Sequence, residues 1–391
     1  MVTTSIGSIR GWVCRRATLL RCATGISIAV AGIFFMAGAS NAESLLQDAT
    51  GRDVRLSAPA ERIVTNESLL LYSLALIDTD PVKRIAGWAR PERIDGGVYA
   101  SFQKKFPAIE RIPQVGGVIP ADVSVEAIIS VDPDLFVVGL WQQEWQDIAE
   151  RLESAGVPVI FLDSPQAEKR GPIEATTFSI ELLGKAIGRE EQAHAFSEFV
   201  RKKARDIADR VAATDERPTV VVDVHAGTLC CYTPGSDNRI SHYLALAGGH
   251  SIGADIASGY DGQLNPEFVL SSNPDLYIGT GSPHLAIQDG LVVGGGVDAK
   301  TARRSLADVT SRNYLQNLSA VKAGRAFGVS HQLAISALNL VVFECFAKWL
   351  HPKAMTDIEP AMTIAEINER FLAAPLEGTF CVGLEEGSDT P

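Results

Sequence analysis

The sequence is poor in cysteine and has no pair spaced for zinc or thiol redox chemistry. Only 6 of its 391 residues are Cys, and four of them follow residue 42: the adjacent Cys230 and Cys231, then Cys345 and Cys381. Without a C-x-x-C pair, a structural zinc site is not expected, since adjacent cysteines are a poor start for a tetrahedron. In an oxidising compartment Cys230 could pair with Cys231, or either could pair with Cys345 or Cys381.

Positive charge is also scarce. The chain has 35 Lys and Arg against 47 Asp and Glu, a net charge of −12. The first 42 residues hold four Arg and no acid, so the rest is more acidic still. Nucleic-acid binding needs a concentrated basic surface, so this balance excludes it.

The stretches that come nearest to a phosphate-binding loop or a nucleophile elbow do not fit either motif. The stretch VVGGGVDAK (292–300) lacks the spacing of G-x-x-x-x-G-K-[ST] and is better explained as a surface loop. GTGSPH (279–284) places Ser and His too close in sequence for a nucleophile–base pair, and no G-x-S-x-G elbow occurs. We therefore expect a binding protein with no cofactor, and not an enzyme.

Residues 1–42 predict a secretory signal peptide. An uncharged apolar run follows the Arg-containing head and ends in the small residues Ser40-Asn41-Ala42, which indicates cleavage near Ala42. An uncleaved membrane anchor is the alternative, because the run is nearly long enough to span a bilayer. Arg15-Arg16 fits a twin-Arg export signal only loosely.

The remaining chain alternates apolar strands with amphipathic helices, which predicts two doubly wound α/β lobes with parallel sheets. We place the lobes at 43–165 and 214–375, with helices between them at 166–213 and a C-terminal tail at 376–391. From Glu190, apolar residues recur at helical spacing for about 24 residues, a rod of roughly 36 Å that can join the lobes. The strands are predicted at 62–68, 83–89, 134–140, 157–164, 219–227, 275–281 and 325–331.

One pattern occurs twice, as SVEAIISVDPDLFVVG (124–139) and NPEFVLSSNPDLYIGT (265–280). Each copy predicts a capped short helix with a Glu in its first turn, Glu126 or Glu267, which ends before a Pro and leads into a strand. A helix–strand unit used once in each half indicates two lobes of similar build.

Together with DATGRDVRLSAPAERIV, IAGW, VGG and AGG, these repeats resemble the periplasmic substrate-binding proteins of ABC importers for iron–siderophores, haem and cobalamin. The resemblance covers nearly all of the chain after the leader. It implies a periplasmic monomer with a ligand cleft between lobes joined by a single backbone helix. It also implies that Glu126 and Glu267 dock onto the two subunits of an inner-membrane permease.

In parallel sheets, ligands lie beyond the carboxyl ends of the strands, so the loops there hold the candidate ligand-binding residues. A ferric siderophore is the expected ligand, because Arg side chains pair with its anionic oxygens and aromatic rings cover its apolar faces. The candidate residues are Trp88, Arg90, Trp141, His225, Arg239 and His331.

Three other ligands fit some of the same residues. Haem needs an axial His or Tyr, for which His225, Tyr99 and Tyr232 are available, and cobalamin would suit the tryptophans. A bare metal ion could use His225, His331, His284 and a carboxylate such as Asp163. No two histidines have close ligand spacing, so we rank the bare ion last.

Overall fold

Buried strands form the centre of a first lobe, as the apolar runs predict. In the computed structural model, which describes residues 44–117, 119–139, 142–227, 230–312 and 314–384, the lobe begins with an antiparallel hairpin. Its strands are β1 (Ser44–Gln47), β2 (Asp53–Leu56), β3 (Ile63–Thr65), β4 (Ile85–Trp88), β5 (Leu135–Val138) and β6 (Val159–Phe161). The last four pair in parallel in the order β4-β3-β5-β6.

Helices cover this sheet and continue into the connector. They are α1 (Leu70–Ile77), α2 (Pro81–Arg84), α3 (Gly96–Lys105), α4 (Val125–Ser130), α5 (Trp145–Ser154) and α6 (Pro165–Glu168), followed by α7 (Pro172–Ile187) and α8 (Glu190–Ala212). The crossover from β3 to β4 and the one from β5 to β6 each contain helix, as parallel pairing requires.

The second lobe has a five-stranded sheet and two small antiparallel pairs. Its strands are β7 (Thr219–Asp223), β8 (Tyr232–Pro234), β9 (His250–Ser251), β10 (Asp261–Gln263), β11 (Leu276–Gly281), β12 (Gly294–Gly295), β13 (Ala326–Ser330), β14 (Gly378–Thr379) and β15 (Cys381–Gly383). The main sheet has the order β15-β13-β11-β7-β9, and only its edge strand β15 runs antiparallel to its neighbour. The parallel core of both lobes is therefore confirmed.

The helices of the second lobe follow the same alternation. They are α9 (Arg239–Leu246), α10 (Pro266–Ser272), α11 (Ala299–Thr310), α12 (Ser319–Lys322), α13 (His331–Ala334), α14 (Asn339–Leu350) and α15 (Pro360–Arg370). None of the helices in the described part of the chain combines the length and apolar character needed to cross a membrane.

The long connector helix lies where its periodicity predicts it. Helix α8 starts at Glu190 and has 23 residues. It packs against α1 of the first lobe and α14 of the second, and its Phe196 is fully buried. Because a buried aromatic side chain stabilises a fold by about 2–3 kcal/mol, this helix is held firmly by both lobes.

Residues 378–383 belong to the second lobe. Residues 376–391 were assigned to a tail, but Gly378–Thr379 pairs with β12 and Cys381–Gly383 with β13. A disulfide between Cys345 of α14 and Cys381 of β15 adds a covalent link. The second disulfide joins Cys230 to Cys231, so the structure selects two of the pairings that the sequence allows.

The repeated pattern has the same local structure in both lobes. Ser124 caps α4 by accepting from the Ala127 N–H at 3.0 Å, and Asn265 caps α10 by accepting from the Glu267 N–H at 2.8 Å. The residue before each Pro, Asp132 or Asn273, has left-handed backbone with φ of 51° or 41°. This conformation ends each helix, and Asp and Asn adopt it more readily than most residues.

The Asp after each Pro also has a matching role. Asp134 accepts from the backbone N–H groups of Glu61 and Arg62, just before β3. Asp275 accepts from the N–H of Thr219 at the start of β7. In each lobe this carboxylate fixes the start of the neighbouring parallel strand, which is a structural reason for the repeated P-D-L.

Candidate functional site

Three histidines meet at the carboxyl edge of the second-lobe sheet. His225 follows β7, His284 follows β11, and His331 follows β13. Because these strands are neighbours in the order β13-β11-β7, residues far apart in sequence become adjacent. The ring centroids of His225 and His331 are 4.0 Å apart, and those of His225 and His284 are 6.0 Å apart. We call this group the histidine cluster.

Thr280 of β11 orders two of these residues. Its Oγ1 accepts from the backbone N–H of His225 at 2.9 Å and lies 3.2 Å from Nδ1 of His331. His225 has left-handed backbone, with φ of 51°. The cost of that conformation in a non-glycine residue is of order 1 kcal/mol, and the Thr280 contact offsets it.

The environment keeps the cluster uncharged at neutral pH. Desolvation, then the neighbouring His225 and Arg93 charges, lower the pKa of His331 well below its ordinary value. Desolvation also lowers the pKa of His225 and of His284. Neutral imidazoles offer a nitrogen lone pair, which is the form that binds metal centres. The site can therefore supply ligands to a metal without first losing protons.

The first lobe contributes an ion pair opposite the cluster. Arg93 Nη2 lies 3.0 Å from Oε2 of Glu67, a residue at the carboxyl end of β3. Gln332, next to His331, donates through Nε2 to the Arg93 carbonyl at 3.1 Å. Burial raises the pKa of Glu67, and Arg93 opposes that shift. Arg93 thus lies between the lobes, because its side chain contacts Glu67 of the first lobe and its carbonyl contacts Gln332 of the second.

A small cavity lies beside this ion pair. Its volume is about 70 Å³. The residues that line it include Glu67, Gly139 and Asp163 from the first lobe, Thr176 from α7, and Arg239 and Ser336 from the second-lobe side. Pockets for small-molecule ligands usually measure about 300–1,000 Å³. The lobes therefore lie close together at this cavity, and a large ligand needs more room there than this arrangement gives.

Arg239 connects the two lobes. From the first turn of α9, its Nη2 lies 3.3 Å from Oδ1 of Asp163, and its Nε donates to Oε1 of Glu168 at 2.9 Å. Both carboxylates follow β6 of the first lobe. The sequence predicts that Arg239 binds the ligand. In this structure its guanidinium is already paired with two carboxylates, so the prediction has to be modified.

The other predicted residues have different positions. Trp88 is 1% exposed and packs in the first-lobe core, so its indole is not available to cover a ligand. The last residue of β4 points inward, and the loop begins only after it. Arg90 is exposed, and its Nε donates to Glu92 at 2.9 Å. Trp141 lies outside the described residues.

The alternative ligands can be compared with the same geometry. Among the residues that the structure describes, the histidine nitrogens do not gather within 4.8 Å of one another as a ready metal site would. Asp163 is occupied by Arg239. Tyr99 packs against the first-lobe core, whereas Tyr232 is exposed on β8. The histidine cluster is therefore not a preformed site for a bare ion.

A glycine seam brings the lobes into contact at one side. A Cβ on Gly97 of α3 would lie 2.4 Å from the Cα of Gly296, so the two backbones touch. Beside them, the N–H of Gly295 donates to Oδ2 of Asp95 at 2.9 Å. Asp95 is buried, and this burial raises the pKa of its carboxyl to about 7. The stretch GGG of residues 294–296, first noted as a loop, is thus an inter-lobe contact.

Glu126 and Glu267 are both exposed in the first turns of α4 and α10. The Ser124 hydroxyl and backbone N–H groups lower the pKa of Glu126, so it is ionised at neutral pH. Each lobe therefore presents one carboxylate on an equivalent surface. Their contact with a permease stays a prediction.

Comparison with known proteins gives consistent results. The family model described as "Periplasmic binding protein" matches residues 99–333. A cobalamin-binding protein of Halobacterium salinarum is 28% identical over 235 residues, which are 59% of this chain and 57% of the relative. The chain thus spans little more than half of that relative's length. An uncharacterised ABC transporter substrate-binding lipoprotein of Bacillus subtilis, YvrC, is 23% identical and is covered over 78% of its length.

The structural similarity is broader. The crystal structure of a TroA-like periplasmic binding protein, FepB, from Veillonella parvula has a TM-score of 0.77 and 26% sequence identity. The match covers 87% of this chain and 99% of that one. Two parallel-sheet lobes and a long connecting helix are therefore the architecture of this class as well as of this chain.

Proposed function

The chain belongs to the periplasmic binding protein family, and on that premise we propose that its solute is a metal chelate held between the lobes. As the solute-binding component of an ABC transporter, it binds its solute without chemical turnover, which confirms that it is not an enzyme. The observation that carries the proposal is the histidine cluster. Three neutral imidazoles at the open edge of one sheet suit a chelate whose metal retains an exchangeable coordination position.

An iron chelate is our first choice. A ferric siderophore that wraps its metal incompletely leaves one or two positions for His225 or His331. A siderophore is the ligand that the sequence predicts. The structure does not favour the predicted pairing of Arg239 with its anionic oxygens. Arg239 is paired with Asp163 and Glu168, so it can bind an anionic ligand only when the lobes separate. Imidazole coordination then contributes more of the recognition than Arg pairing.

A corrinoid is the second candidate. The relative from Halobacterium salinarum is named a cobalamin-binding protein, and cobalt also accepts imidazole. Haem shares this chemistry through an axial His. The three chelates differ in charge and in visible spectrum, so one binding experiment separates them.

Delivery to a permease completes the proposed function. Glu126 and Glu267 lie on equivalent helices of the two lobes and are exposed. A pair of matched negative charges suits a transporter with two-fold symmetry. We propose that each carboxylate contacts a basic residue on one permease subunit.

The test is titration of the purified protein with ferric siderophores that fill six or only four positions, with haem and with cobalamin. Tryptophan fluorescence reports binding, and the visible spectrum of the chelate reports imidazole coordination. We expect one chelate class to bind with a spectral shift. His225→Ala and His331→Ala should weaken that binding about tenfold or more, the range typical of lost metal contacts.

The matched control is His250→Ala, because His250 is exposed and pairs with Asp255 at 2.8 Å, outside the histidine cluster. If a chelate binds equally well to the His225, His331 and His250 variants, imidazole coordination is wrong. If none of the chelates binds to the wild-type protein, the metal-chelate proposal itself is wrong.

A further inference from the structure

A second group of metal-ligating atoms lies under the loop that carries His225. One carboxylate oxygen of Asp223 and the Sγ atoms of Cys230 and Cys231 all lie within 4.8 Å of one another. Asp223 is the last residue of β7, and the two cysteines precede β8. The sulfurs are joined in a disulfide, so they are not ligands in this state.

The environment of Asp223 is a second, independent indication that this group binds a cation. Its Oδ2 accepts from the Tyr277 hydroxyl at 2.9 Å. Its Oδ1 is buried, and no described group meets hydrogen-bond geometry with it, while the backbone N–H of Tyr232 also interacts with this carboxylate. The residue as a whole is 1% exposed. A buried carboxylate oxygen without a hydrogen bond is energetically costly. A bound cation would satisfy this oxygen.

We propose that reduction of the Cys230–Cys231 disulfide creates a site for a thiophilic cation, Cu⁺, with the two Sγ atoms and Oδ1 of Asp223 as ligands. A thiol or dithiol reductant supplies two electrons and two protons. The sulfur–sulfur bond breaks, two thiols form, and the reductant leaves as its own disulfide. When Cu⁺ binds, the thiols release their protons and bind as thiolates.

The donor set selects this class of cation. Two thiolates are soft ligands and favour Cu⁺, whereas hard cations such as Mg²⁺ require oxygen ligands. Zn²⁺ prefers four ligands at tetrahedral angles, which these three donors, two of them on adjacent residues, do not provide. Arg312 is the nearby positive charge that acts on Asp223, and its guanidinium donates to the carbonyls of Gly227 and Asp289. One guanidinium does not neutralise three anionic donors, so the reduced site gains from a cation.

Access to the site is through Cys230, which is half-buried, while Cys231 is buried. The other disulfide, Cys345–Cys381, is enclosed in the core with both residues at most 1% exposed. A mild reductant should therefore open the Cys230–Cys231 bond first. This inference is independent of the proposed metal-chelate function, although both use the segment that follows β7.

The experiment measures Cu⁺ binding by the oxidised and the reduced protein under anaerobic conditions. Mild phosphine reduction, followed by alkylation and mass spectrometry, identifies which cysteines have become thiols. Cu⁺ is then titrated in competition with bicinchoninate. We expect one Cu⁺ per reduced chain and none per oxidised chain, with sulfur ligands visible in the X-ray absorption spectrum.

Two variants test the ligands. The double variant Cys230→Ser/Cys231→Ser should lose Cu⁺ binding and keep the Cys345–Cys381 disulfide. Asp223→Asn is isosteric and should weaken binding about tenfold or more, with circular dichroism to verify the fold. Equal Cu⁺ uptake by the oxidised protein or by the double variant would overturn the proposal, as would no uptake by a reduced chain with free Cys230 and Cys231 thiols.

Discussion

Arg239 of the second lobe donates through Nε to a carboxylate oxygen of Glu168 in the first lobe, at 2.9 Å. The same guanidinium also lies 3.3 Å from Asp163. One positive charge is thus held between two negative charges from the opposite lobe. This pairing connects the lobes beside the cavity that Arg239 and Asp163 both line.

Replacement of Arg239 by Ala should destabilise the protein. Two carboxylates then lie together in a largely buried place without their cation, and loss of one partner from such a group costs about 3 kcal/mol or more. Urea unfolding measures the change in the free energy of unfolding. Arg304→Ala is the matched control, because its pair with Asp308 is 4.0 Å long and its side chain is 83% exposed. A loss of similar size in both variants would contradict the prediction.

Asp95 should make stability depend on pH. Burial raises the pKa of its carboxyl from 3.8 to about 7, so the folded state keeps a proton that the unfolded state has lost. The stabilisation is complete below pH 3.8, declines as the pH rises toward about 7, and does not change further above that. Asp95→Asn stays neutral and should remove up to about 4 kcal/mol of that decline.

The measurement for Asp95 is the free energy of unfolding from urea titrations between pH 4.5 and pH 7.5. The exposed Glu369→Gln is the control and should follow the wild-type curve. If the Asp95→Asn curve runs parallel to the wild type over this range, Asp95 does not titrate as the structure indicates.

Chelate binding should also depend on pH through the histidine cluster. Desolvation lowers the pKa of His331 well below 6.5, so its ring stays neutral until the solution is distinctly acid. Affinity should be constant from pH 8 to pH 6.5 and fall at lower pH, when a proton competes with the metal for the ring nitrogen. Titrations of the bound chelate at several pH values test this. His331→Ala should lack the decline, and a midpoint at or above pH 6.5 would contradict the assignment.

Charge reversal at the docking positions should impair uptake without changing solute binding. Glu126→Lys and Glu267→Lys place a positive charge where we propose that a negative one contacts the permease. Repulsion at such an interface is expected to lower the association rate about tenfold or more. Uptake is measured in cells that carry the variant in place of the wild type. Glu191→Lys, on the exposed face of α8, is the control. Normal uptake by both docking variants would exclude these carboxylates from the contact.

The parallel strands and the connector helix could be predicted because their signals are local. Apolar runs such as the one at Leu276 are buried on both sides, and α8 has a regular apolar face from Glu190. The short strands escaped prediction because β12 consists of Gly294 and Gly295, which have no side chains to form a pattern. Strand β15 is an edge strand, and its structure depends on its pairing with β13 more than on a pattern in its own sequence.

The site could be predicted only where strand ends determine it. The sheet-edge position of His225 and His331 was predicted because each follows a strand, and the strand order brings His284 to them. Their contact with a ligand stays a prediction. The partners of Arg239 could not be found, since Asp163 is 76 residues away and on the other lobe. Trp88 was predicted to cover a ligand from the loop after β4. It is instead the last residue of that strand, and its side chain lies in the core.

The contact of Gly97 with Gly296 has a consequence for how this scaffold can diversify. Where two main chains touch, a Cβ on either residue would clash with the opposite backbone, so substitution there is expected to change how closely the lobes approach. New solutes can then be accommodated only through the loops that line the cleft. We therefore expect sequence variation among related proteins to concentrate in the loops beside the histidine cluster. The residues of the glycine seam should vary least.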